Sequence, residues 1–146
     1  MSDQIKIYIL GDSICYGQLI SLNSTWVTAL SLKIGELKPF KKDIIIQNCS
    51  INGNTTRQAL ERLHYDITSH KPNIVLVQFG MNDCNFWDTD NGHQRVSMSS
   101  FKSNLIEIIL KIKSSGSDYF ILNTNHLSNK GKIYNGNIDY DKSNRE

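Results

Sequence analysis

The sequence predicts an α/β domain, an open parallel sheet with helices on both faces. Four short β-rich runs alternate with three amphipathic stretches in the order β-α-β-α-β-α-β. The third run, Ile74 to Phe79, is almost continuously apolar, which suits a strand buried on both faces of such a sheet. Neither an internal repeat nor a linker interrupts the alternation, so the 146 residues are expected to form one domain, 1–146.

The first strand is Ile5 to Leu10, rich in β-branched residues and stopped at Gly11. Ser24 or Thr25 caps a helix to about Lys38, with Trp26, Leu30 and Ile34 at helical spacing and Pro39 beyond its end. Asp43 to Asn48 is the second strand. Thr55 or Thr56 opens a helix to about His70, whose apolar stripe includes Ala59, Leu60, Leu63 and Ile67. Pro72 separates it from the third strand. Residues 80–97 make a long polar loop, a kind more often functional than idle. Ser99 or Ser100 caps the last helix, Gly116 ends it, and Tyr119 to Asn123 is the fourth strand.

Composition excludes several classes of function. With 16 basic and 14 acidic residues, charge is balanced and the lysines are scattered, so nucleic acid is not an expected partner. No apolar run approaches the roughly 18 residues of a membrane span, and Met1 to Gln4 leads directly into a strand without a signal core. Cys15, Cys49 and Cys84 form no C-x-x-C pair and read as free thiols of a cytoplasmic protein. Their common position just past strand ends leaves open a zinc site completed by His126 or His93, although paired short spacings are missing.

Ligands of open parallel sheets bind beyond the carboxyl ends of the strands. Three motifs fall there: Gly11-Asp12-Ser13 after the first strand, Gly53 after the second, and Gly80-Met81-Asn82-Asp83 after the third. A nucleophilic serine needs exposure on a turn, a base, and donors for the developing oxyanion. Gly11 allows a tight bend on leaving the strand. The amides of Ser13 and Gly53 and the side chain of Asn82 supply donors, and a glycine at 53 admits substrate to the backbone. Phosphate-loop and dinucleotide fingerprints are absent from the sequence.

These motifs resemble the SGNH, or GDSL, hydrolase family. Gly11-Asp12-Ser13-Ile14 matches its first block, Asn48 to Gly53 its second, and Gly80 to Asp83 its third. The resemblance covers residues 5–125. It implies a three-layer α/β/α fold with a flavodoxin-like sheet, and a serine esterase that cleaves small-molecule or carbohydrate O-acyl esters through an acyl-enzyme, without a cofactor or metal. By carry-over Ser13 is the nucleophile, and Ser13, Gly53 and Asn82 form the oxyanion hole. The family's Asp-x-x-His block has no match after Asn125, so the chain is expected to lack the last strand, the last helix and the catalytic dyad. A non-catalytic acyl- or carboxylate-binding domain of the same fold is the alternative.

His126, directly after the fourth strand, is a pocket residue or a substitute base; His64, His70 and His93 are weaker candidates. Asp12, Asp83 and Trp87 are assigned to the substrate pocket. The two carboxylates also have a structural reading, Asp12 holding its turn and Asp83 fixing the long loop through local hydrogen bonds. Without a last helix, Ile7, Ile9, Val75 and Val77 are expected to leave one sheet face bare and open to self-association.

Overall fold

A computed structural model describes residues 4–37, 41–86 and 91–125 of the chain. Strand β1 (Gln4–Gly11) pairs in parallel with β2 (Asp43–Asn48) on one side and β3 (Ile74–Gln78) on the other. The fourth strand, β4 (Tyr119–Leu122), adds to β3, again in parallel, giving the order β2-β1-β3-β4. The connections on either side of β1 lead away in opposite directions, so right-handed crossovers place their helices on opposite faces. This is the three-layer α/β arrangement that the alternation predicts. Among the described residues, no helix is long and apolar enough to cross a membrane.

Helix α1 is a single turn, Ser13–Tyr16, that follows β1 directly. Helix α2 (Trp26–Leu37) starts at Thr25, whose hydroxyl accepts the Thr28 amide at 3.2 Å. Helix α3 (Thr56–Asp66) opens with a capping box in which Thr55 and Gln58 satisfy each other's backbone amides. Helix α4 (Met98–Ser114) is capped by Ser97, two or three residues ahead of the expected Ser99 or Ser100. All three serines have the side chain for a cap; Ser97 is the one with extended backbone and a hydroxyl 3.3 Å from the Ser100 amide.

The core lies between the sheet and the α3–α4 layer. Tyr8 and Leu10 of β1, Val75 and Val77 of β3, and Phe79 pack with Ala59, Leu63, Ile67, Ile108 and Ile112. That arrangement corrects the expected bare face. Val75 and Val77 point into this covered layer and are fully buried, while Ile7 and Ile9, on the opposite face, are 8% and 0% exposed. A strand with neighbours on both sides is shielded from both edges, so exposure gathers where the sheet ends. Within the sheet, the most open apolar side chains are on the edge strand β4, with Tyr119 at 69% and Ile121 at 49% exposed. Helix α2 buries none of its residues and leaves Leu32 and Leu37 open.

Leu63→Ala is expected to lower stability by about 2–5 kcal/mol, because it opens a void in a site that cannot collapse. Ile121→Ser is expected to change stability by less than about 0.5 kcal/mol. Denaturant titration of the two variants beside the parent checks both values.

Candidate active site

The three motifs meet at the carboxyl edge of the sheet. Asp12 is the N-cap of α1, and its Oδ1 accepts the Ile14 amide at 2.9 Å. This starts a helical turn at Ser13, which is partly exposed. Gly11 is required for space more than for bending: a Cβ there would lie 2.7 Å from both Cβ and Sγ of Cys15. At Gly53 the backbone has φ +74°, a left-handed conformation, and the place of a Cβ is open.

Hydrogen bonds join the motifs. The Ile51 amide donates to the Gly11 carbonyl at 3.1 Å, and Asn48 Nδ2 donates to the Cys15 carbonyl at 2.9 Å. Asn82, nearly buried, donates Nδ2 to the carbonyl of Asn54 at 3.1 Å, one residue beyond Gly53. One amide proton of Asn82 is thereby fixed, which orients the other. Arg95, from the long loop, donates Nη1 to the Gly53 carbonyl at 2.9 Å. Sequence reading singled out neither Arg95 nor Arg62, whose guanidinium reaches the Cys49 carbonyl at 2.6 Å.

The other expected site residues divide. Asp12 is fully buried beneath its turn, so it is a cap and not an open pocket wall. Asp83 is buried too, and its bonds are not local. Its Oδ1 accepts the Thr56 amide at 2.9 Å and the Thr56 hydroxyl at 2.5 Å, fastening the third motif to the start of α3. His126 and Trp87 lie outside the described residues. His64 bonds the Thr68 hydroxyl on the far end of α3, His70 stacks on Tyr8 at 5.6 Å, and His93 is exposed. Among the described residues, no histidine hydrogen-bonds to Ser13.

The thiols do not converge. Cys15 donates to Gln78 Oε1, Cys49 to the Asp66 carbonyl and Cys84 to the Met81 carbonyl. Among the described residues, no group of three His, Cys, Asp or Glu side chains is placed to hold a metal. A cavity of about 310 Å³ lies between the end of β3, α4 and β4, bordered by Gly80, Asp83 and Cys84 and walled by Phe79, Phe101 and Leu105; Ser13, Gly53 and Asn82 do not line it. Burial raises the Asp83 pKa, against the lowering effect of its Thr56 hydrogen bonds. Burial, with Asp12 adding to it, pushes the Cys15 thiol up to about 12.

Comparison with known proteins agrees with this arrangement. The model of the GDSL-like Lipase/Acylhydrolase family matches residues 9–139. An arylesterase of Vibrio mimicus is 30% identical over 129 residues, which are 88% of this chain and 59% of that protein. The thioesterase 1/protease 1/lysophospholipase L1 of Escherichia coli K12 is 27% identical over 88% of this chain and 55% of its own length. The crystal structure of a lipase/acylhydrolase from Enterococcus faecalis superposes with a TM-score of 0.67 at 27% identity, covering 85% of this chain and 59% of that one. The chain thus spans less than two thirds of the length of these relatives.

Two outcomes follow from the buried groups. A carboxyl whose folded pKa is raised favours folding below its unfolded pKa, and that contribution is lost as pH rises through the folded pKa. Asp83→Asn removes the titration, so the stability of the parent relative to this variant is expected to fall as pH rises above about 4; urea midpoints at several pH values check it, and a constant difference would refute it. Cys15, buried and with its pKa near 12, is expected to resist iodoacetamide at pH 8 until the protein is denatured, as peptide mapping would show.

Proposed function

Because the chain belongs to the GDSL-like lipase/acylhydrolase family, we propose that it carries the reactive face of a serine esterase, with Ser13 as nucleophile and the Ser13 amide, the Gly53 amide and Asn82 as oxyanion donors. The observation that carries this reading is the bond from Asn82 Nδ2 to the Asn54 carbonyl, which sets a side-chain donor beside the Gly53 turn. In the proposed reaction Ser13 Oγ attacks the ester carbonyl and the three donors receive the negative charge that forms on its oxygen. Collapse expels the alcohol and leaves an acyl-enzyme, which water then hydrolyses to free acid. Donors held in place before the reaction accompany charge development with little reorganisation, and the bonds from Asn82 to the Asn54 carbonyl and from Arg95 to the Gly53 carbonyl support this.

The substrate we propose is an O-acyl ester of a small molecule or a carbohydrate. Deprotonation of Ser13 falls to a group outside the described residues or to water. An unassisted serine is a weak nucleophile, so turnover by this chain is expected to be slow. Oxyanion donors and binding retain roughly 10³–10⁴-fold acceleration over water in a serine hydrolase that lacks a triad member.

Hydrolysis of 4-nitrophenyl acetate tests the proposal. Ser13→Ala is expected to lower turnover to the residual rate that the oxyanion donors support without a nucleophile, and Asn82→Ala to lower the parent's rate by about 10²–10³-fold, the cost typical of one oxyanion donor. An unchanged rate in Ser13→Ala would sink the reading. Tight binding of a carboxylate product with no Ser13-dependent turnover would mark the chain as an acyl-binding domain of the same fold.

A further inference from the structure

We propose that Arg62 is a positioning residue, which sets Ser13, Gly53 and Asn82 in register by tying together the turns that carry them. This deepens the reading of those residues as the reactive site and rests on it. Arg62 projects from α3, and its side chain is only 16% exposed. Its Nε donates to Asn54 Oδ1 at 2.8 Å, and Nη1 donates to the Cys49 carbonyl at 2.6 Å and to the Asp66 carboxylate. Nη2 makes a long contact, 3.5 Å, with the carbonyl of Gly11, two residues before Ser13.

One guanidinium therefore spans the first two motifs directly. The third is reached in one more step, because Asn54 offers its side-chain oxygen to Arg62 and its main-chain oxygen to Asn82. A helical ion pair such as Arg62–Asp66 needs no burial and is worth only a few tenths of a kcal/mol at a surface. Burying the cation is costly unless its donors are used, and here those not facing Asp66 are aimed at strand-end turns. A flat fork of five N–H donors suits such divergent acceptors. A lysine keeps the charge for Asp66 but cannot reach Asn54, Cys49 and Gly11 together.

The test uses the full chain, ¹⁵N-labelled, with Arg62→Lys. The variant is expected to unfold cooperatively, while the Asn82 side-chain amide and the Ser13 backbone amide shift in the ¹H–¹⁵N spectrum. Ser13-dependent turnover of 4-nitrophenyl acetate is expected to drop roughly tenfold or more in kcat, since small misplacements of catalytic groups are expensive, with KM within about twofold. Unmoved Asn82 and Ser13 resonances overturn the proposal, as does a change confined to KM. A parent without Ser13-dependent turnover defeats the esterase reading, and the resonances still decide the role of Arg62. Should Arg62→Lys not fold, the parent decides: a slowly exchanging Arg62 Nε proton with separate Nη signals supports a pinned fork, and averaged, fast-exchanging signals overturn it.

Discussion

A backbone that leaves a parallel sheet gives up its ladder partners, and its amides and carbonyls must find others or remain unsatisfied in a partly buried place. In this protein the strand ends meet that demand from one another. The Gly11 carbonyl takes the Ile51 amide, the Ile9 carbonyl takes the Cys49 amide, and the Val77 carbonyl takes the Asn123 amide. Side chains close the rest: Asn125 Nδ2 serves the Phe79 carbonyl, and Arg95 serves that of Gly53. The same bonds that satisfy the backbone fix the turns carrying Ser13, Gly53 and Asn82. The bonds that complete the carboxyl edge thus also hold the turns of the candidate site.

Charge is used sparingly at that edge: Asp12 caps its own turn, while Arg62, Arg95 and Asp83 join segments distant in sequence. Asp83 links the third motif to α3 through Thr56, whose hydroxyl in turn accepts Asn104 Nδ2 of α4 at 2.9 Å. This short chain connects the loop to both core helices, and it operates whether or not the carboxyl is ionised, because its Oδ1 is an acceptor in either state. Burial opposes ionisation while the Thr56 bonds and the nearby Arg95 favour it. Neutral amides continue the pattern across the sheet, where Gln78 accepts from Cys15 and Asn123 and donates to Asn125.

The strands and long helices were legible because they rest on periodicity and caps, which are local. Asp43 to Asn48 and the opening of α3 at Thr55 follow directly from such signals. Four residues of helix at Ser13–Tyr16 are too few to show a period, although Asp12 ahead of them is a good cap. Arg62 was hidden for another reason. With Asp66 four residues on, it reads as an ordinary surface pair, and only its place beside the buried stripe of Ala59 and Leu63 hints at burial. Arg95 sits in a loop with no period at all. What a long side chain reaches depends on tertiary neighbours, and sequence spacing does not encode them.

Burial is distributed so that the candidate site depends on the best-covered part of the sheet. Ser13 continues from β1, whose Ile9 and Leu10 are fully buried, and Asn82 follows β3, where Val75 and Val77 are fully buried as well. Open apolar side chains are found on the outer strand β4 and on helix α2, and also at Leu19, Leu22 and Tyr65. Regions with few buried contacts open at lower free energy than the core. β4 joins β3 through the strand ladder and through side-chain amides such as Gln78 to Asn125, while Arg62 and Asp83 anchor the turns of the candidate site to α3, in the core layer. The turns that bear the proposed chemistry are therefore tied to the best-buried layer of the molecule.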